Sequence, residues 1–131
     1  MNVKALHPSR TRRGITPATR FETLLGDYGT SDFILKRGGR LPEVTVAYES
    51  WGELDVNHDN AILIFTGLSA SAHAASSDAD PEPGWWEFMI GSGKAIDTDK
   101  YFVICVNSLG GCFGTTGPEC MNTATQKPYG S

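Results

Sequence analysis

The chain has 131 residues, 40% of them hydrophobic and 20% charged, with a net charge of -4 and a pI near 5.2. That length suits one small domain and that composition suits a soluble globular protein, which excludes wholesale disorder. The acidic balance offers no basic face for nucleic acid, and no apolar run approaches the ~20 residues that cross a bilayer.

The first twenty residues carry Lys4, Arg10, Arg12, Arg13 and Arg20 with no acid before Glu22. This reads as a solvated, ragged terminus more readily than as an organelle transit peptide. No apolar core of a secretory signal is present, so the cytoplasm is the expected location. Residues 1–31 are expected to be an N-terminal extension. Within it, Thr16-Pro17 suggests an N-cap and first helical position, with Phe21, Leu24 and Leu25 on one helical face and Gly26 ending a short helix. Asp32 to Lys36, the turn Arg37-Gly-Gly-Arg40 and Glu43 to Glu49 then predict a hairpin that buries Val44, Val46 and Tyr48.

The polar stretch Trp51 to Asn60 leads into Ala61-Ile-Leu-Ile-Phe65, whose lack of alternation predicts a strand covered on both faces. Ser76 to Gly84, with two prolines and several acids, reads as a surface loop. Trp85 to Ile90 suits a turn or two of helix that Gly91-Ser-Gly93 breaks. Tyr101 to Val106 is a second apolar strand, and Gly110 to Pro118 a second loop. A hairpin followed by two strand-loop units predicts an α/β sheet, in which ligands sit outside the carboxyl ends of the parallel strands. Both glycine-rich loops leave from that end.

Gly67-Leu-Ser-Ala-Ser71 is one residue short of a G-x-S-x-G nucleophile elbow, since Ser71 stands where the second glycine belongs. Ser69 as a nucleophile is the weaker reading. A backbone N–H donated by this loop to an oxyanion hole fits better, and a plain surface turn is the third possibility. His73 comes too early for a base in the Ser, Asp/Glu, His order, so it either orders the loop or lines the pocket. Gly91-Ser-Gly-Lys94 lacks the earlier glycine of a phosphate loop, and Gly110 to Gly114 fails the dinucleotide spacing. Trp85 and Trp86 plug the core or touch substrate. Asn107 marks a close backbone approach or a structural turn. Cys105, Cys112 and Cys120 form no C-x-x-C pair and have no neighbouring histidines, so idle thiols in a reducing compartment and no metal are expected.

Together, Val46 to Leu54, Gly67 to His73, Pro83 to Glu87, Gly93 to Thr98 and Asn107 to Pro118 resemble the homoserine/serine O-acyltransferases, in order and over most of the chain from about Phe33. The resemblance implies an α/β-hydrolase fold, with residues 32–131 as the N-terminal portion of its domain, truncated before the nucleophile elbow. It implies ping-pong transfer of an acyl group from acyl-CoA, a co-substrate rather than a cofactor, to a side-chain hydroxyl. The family's serine, aspartate and histidine match no position here. Leu68 matches the leucine whose backbone N–H forms half of the oxyanion hole. Gly67, Ser69, Ala70 and His73 are the expected substrate-binding residues.

Thr66-Gly-Leu-Ser-Ala70 departs from the His-Ala-Leu-Thr-Gly of many homoserine enzymes and looks closer to members that acylate L-serine. Homoserine is nevertheless expected as acceptor because it defines the broader class, with serine, an ester hydrolase of the same fold or an inactive truncated chain as alternatives. A homodimer at full length is expected, with neither nucleic acid nor membrane as partner. Without the strand that the family sets beside Ala61 to Phe65, that strand is an open edge. The fragment alone is expected to be inactive, poorly soluble and weakly cooperative.

Overall fold

A computed structural model describes residues 14–24 and 32–131. The expected ragged terminus before Gly14, and Leu25 and Gly26 of the expected helix, lie outside the described residues. Among the described residues ten strands follow in order: β1 Arg20–Leu24, β2 Phe33–Ile34, β3 Arg40–Leu41, β4 Val44–Trp51, β5 Ala61–Phe65, β6 Ile90–Gly91, β7 Ile96–Asp97, β8 Phe102–Val106, β9 Met121–Asn122 and β10 Lys127–Pro128. The main sheet has the order β1-β4-β8-β5. β4 runs antiparallel to both its neighbours, with Arg20 opposite Tyr48 on one side and Tyr48 opposite Val106 on the other. β5 runs parallel to β8, Ala61 opposite Phe102 and Phe65 opposite Val106. Three two-stranded ladders, β2 with β3, β6 with β7 and β9 with β10, decorate the connections.

Five local expectations are corrected. The segment read as a helix from Thr16 is a single turn followed by β1. Thr16 does act like a cap, its hydroxyl accepting the Ala18 N–H at 3.1 Å. A short helix is costly to nucleate, whereas β4 offers a five-residue ladder along which Arg20 to Leu24 pair. The hairpin turn at Arg37 to Arg40 forms, with Gly38 and Gly39 at φ of 90° and 95°, conformations that suit glycine. Its ladder is only two residues long, because β4 leaves it to pair with β1 and β8.

The buried side of β4 is also out of phase with expectation. Val44 is buried as expected, but from there on Ala47, Glu49 and Trp51 are buried while Val46 and Tyr48 are only half-buried. Finally, β5 is covered on one face alone: Ile64 is buried, but Leu63 is 54% and Phe65 73% exposed. Trp85 to Ile90 form turns rather than helix, since Ile90 is drawn into the ladder with Ile96.

The core is Trp51, Ile64, Ala74, Ala75, Ile90, Val103 and Cys105, with Ile62, Trp86, Met89 and Ile96 packed on it. One face of β4, β8 and β5 is therefore roofed by the segment from Ala72 to Ile96. Alanines at 72, 74 and 75, all buried, let that roof approach closely. Gly84 completes the approach: a Cβ there would stand 2.1 Å from the Ala74 carbonyl carbon. The two legs of the roof thus pack on each other at a distance that only glycine permits.

Candidate active-site mouth and the Glu49–His73 pair

β5 and β8 end side by side, and two loops leave from their carboxyl ends, as the strand pattern predicts. Backbone bonds join them at the rim. The Thr66 N–H donates to the Val106 carbonyl at 3.5 Å, and the Ser108 hydroxyl donates to the Thr66 carbonyl at 3.2 Å. The loop after β8 then returns to β4. The Asn107 N–H donates to the Ala47 carbonyl at 2.9 Å, and the Ala47 N–H donates to the Thr115 hydroxyl at 2.9 Å. The Thr45 N–H donates to the Thr116 hydroxyl, and the Thr116 N–H to the Thr45 carbonyl, each at 2.9 Å. Two threonines thus satisfy the stretch of β4 that β8 is too short to reach, as buried backbone groups require. The Asn107 side-chain N–H donates to the Phe113 carbonyl at 2.6 Å, while its buried Oδ1 has no partner among the described residues.

Behind the mouth lies a hydrogen-bonded carboxylate–imidazole pair. Glu49, 1% exposed, projects from β4 beneath the loop that follows β5. Its Oε2 is 3.0 Å from His73 Nδ1, and His73 Nε2 is 2.8 Å from the Glu82 carbonyl oxygen. Oε1 accepts the hydroxyls of Thr16 at 2.7 Å and Thr19 at 3.1 Å. Both neighbours of the imidazole are acceptors, so the ring must carry two N–H groups to satisfy them. Burial works to lower the His73 pKa, but the Glu49 hydrogen bond, the Glu82 carbonyl and the Glu49 and Asp80 charges together raise it above 6.5. With both nitrogens engaged, His73 is no base for Ser69.

The predicted site residues fall into two groups. Gly67, Leu68 and Ser69 are exposed at the mouth and Ala70 is half-buried beside them. Among the described residues the Leu68 N–H has no acceptor, and the loop's own bond is Ala70 N–H to the Gly67 carbonyl at 3.4 Å. His73 stands apart, locked beneath the roof. Trp85 and Trp86 stack at 5.4 Å between centroids. Trp86 packs on the core, while the half-exposed Trp85 donates its indole N–H to the Ser71 carbonyl at 2.8 Å. Sequence reasoning missed Glu49 as His73's partner. The signal was present: a carboxylate in the Ala47, Glu49, Trp51 phase has to be paired once that phase is buried.

No family model matches the chain. A serine O-succinyltransferase of Litchfieldella anticariensis is 69% identical over 93 residues, which are 71% of this chain and 25% of that protein. The serine O-succinyltransferase of Stenotrophomonas maltophilia is 58% identical over 115 residues, 88% of this chain and 30% of that one. The chain is a homologue of the homoserine/serine O-acyltransferases. Solved structures agree with that homology. A homoserine O-acetyltransferase from Bacillus anthracis superposes with a TM-score of 0.70 at 35% identity, over 85% of this chain and 31% of that one. Esterase E22 does so with a TM-score of 0.70 at 36% identity and the same coverage. The fold is that of the α/β hydrolases. The chain spans under a third of the length of these relatives.

Proposed function

We propose that this chain supplies the oxyanion-donor side of an enzyme that transfers an acyl group from acyl-CoA to the side-chain hydroxyl of L-serine. The observation carrying this reading is the Leu68 N–H. It lies at the carboxyl mouth of a parallel strand pair, in a loop tied down at both ends, and no described residue takes its hydrogen bond. A donor fixed in advance where negative charge develops on a tetrahedral intermediate stabilises the transition state without reorganisation. Gly67, Ser69 and Ala70 would shape the acceptor side of the pocket. The attacking serine and its proton shuttle correspond to no residue among these 131.

Serine is favoured as acceptor by the relatives named serine O-succinyltransferase at 56% to 69% identity. Homoserine keeps the support of the Bacillus anthracis structure at 35%. An ester hydrolase is supported by the esterase E22 likeness. The test supplies succinyl-CoA or acetyl-CoA to the protein as the cell makes it, with serine, with homoserine or with neither, and follows O-acyl amino acid by mass spectrometry. O-Succinylserine or O-acetylserine is the expected product. Acyl-CoA consumption that ignores the acceptor makes the protein a hydrolase. Leu68→Pro, which deletes the N–H, is expected to lower kcat about 10²- to 10³-fold.

A further inference from the structure

We infer that Glu49 and His73 form a positioning unit that holds the Leu68 N–H at the mouth, a role that rests on the acyl-transfer reading. The loop after β5 is fixed at two places. At its start, Thr66 is joined to Val106 and Ser108 on the β8 side. At its far end, the Ser71 carbonyl takes the Trp85 indole N–H, and the His73 N–H donates to the Ser71 hydroxyl at 3.3 Å. Between these anchors the residues Gly67 to Ala70 form a short strap. The His73 ring is what joins the far anchor to the central strand β4, through Glu49. A strap whose ends are fixed to different elements samples few conformations, and donor placement within fractions of an ångström is what oxyanion stabilisation demands.

The surroundings hold the pair in place. Glu49 lies on β4, and Thr16 and Thr19, from the turn before β1, hold its second oxygen. Asp80 Oδ2 is 4.0 Å from His73 Nδ1, within the same roof segment. Cys105 on β8 sits opposite Glu49 in the ladder, and burial pushes its thiol up to about 12, so it adds no charge at neutral pH. No nitrogen of His73 is left to touch substrate. Its effect on the reaction passes through the backbone. Losing a ring proton removes one of its two bonds, either to Glu49 or to the Glu82 carbonyl, and frees the far anchor. The donor is used in the transition state, so loosening it lowers kcat and kcat/KM together.

The test has two arms. The first records ¹⁵N-histidine spectra of the chain across pH, with His73→Gln assigning the signal among His7, His58 and His73. The His73 imidazole is expected to keep both nitrogens protonated above the ordinary imidazole range, and Glu49→Gln is expected to return it to that range. A neutral His73 ring at pH 6.5 or below overturns the inference. The second arm uses the protein as the cell makes it and measures acyl transfer per active site, counted by the acyl-enzyme burst. Glu49→Gln and His73→Gln are each expected to lower kcat about 10- to 100-fold with KM little changed, and Glu49→Gln should move the alkaline fall in rate to lower pH. Unchanged kcat per site with fewer active sites makes the pair a stability element only, and overturns the inference. Wild-type protein that transfers no acyl group removes the functional reading and Leu68's role with it, while the spectra still decide the charge of the pair.

Discussion

Replacing Thr115 by valine keeps the side-chain volume and deletes one hydroxyl that serves two backbone groups. The hydroxyl accepts the Ala47 N–H at 2.9 Å and donates to the Asn107 carbonyl at 3.0 Å. Thr115 is 2% exposed and Ala47 fully buried, so water does not replace what is lost. An orphaned buried group costs about 1–3 kcal/mol, which makes the pair worth about 2–6 kcal/mol. A domain's whole stability is about 5–15 kcal/mol, so the fold should be badly weakened. Thr116→Val is the internal control. It loses the Thr45 N–H to its hydroxyl but keeps its own N–H on the Thr45 carbonyl, for about 1–2 kcal/mol. Urea denaturation at constant slope compares the two midpoints, and hydrogen exchange at the Ala47 amide locates the damage. If Thr115→Val sits within about 0.5 kcal/mol of wild type, a margin typical of surface substitutions, or Thr116→Val costs more, the loop does not cap β4 as argued.

Other outcomes follow from the same structure. Gly84→Ala drives a Cβ into the Ala74 and Ala75 backbone at 2.1 and 2.2 Å, so the two legs of the roof must part, and limited proteolysis between Ala74 and Ile90 should accelerate sharply. Under native conditions a thiol reagent should label the exposed Cys112 quickly and Cys105 only on unfolding, because burial raises the Cys105 thiol to about 12. Equal labelling of both would contradict the packing. The Ser76 N–H, with the Gly84 N–H, the Ser76 hydroxyl and Lys94, outweighs desolvation and lowers the Glu87 carboxyl from 4.5 to about 2. A folded-state pKa below the unfolded one gives stability that is present above pH 4.5 and lost as pH falls towards 2. Thermal melts of wild type against Glu87→Gln should therefore converge across that window.

What the sequence made legible was the part written in apolar runs and in loop chemistry. Ala61 to Phe65 and Tyr101 to Val106 declare themselves as strands because each is a short apolar run bounded by turn residues, and their parallel pairing puts both loops at one end. A backbone donor somewhere in the loop after β5 could be expected from its small residues and its place after a strand, whereas Leu68 in particular is pointed to only by the resemblance to the acyltransferases. What stayed hidden depends on partners distant in the chain. Arg20 to Leu24 look helical by local spacing, and only a free edge on β4 makes them a strand that lies before residue 32 and in the same sheet. The alternation in β4 is nearly symmetric, so the buried phase is decided by which face the roof covers, and with it the partner of His73. The covering of β5 was over-read from composition: an unbroken apolar strand states that both faces avoid water, not which atoms shield them.

The strand order carries a consequence for synthesis. β8 inserts between β4 and β5, so β5 has no neighbour to zip onto when it leaves the ribosome. It must wait until Val106 has emerged, long after the antiparallel partners β1 and β4 are both available. Pairings that wait on distant chain are slow and leave sticky intermediates. The nascent polypeptide therefore passes through an interval in which the β5 backbone is unpaired and Ile64, buried in the finished sheet, is bare.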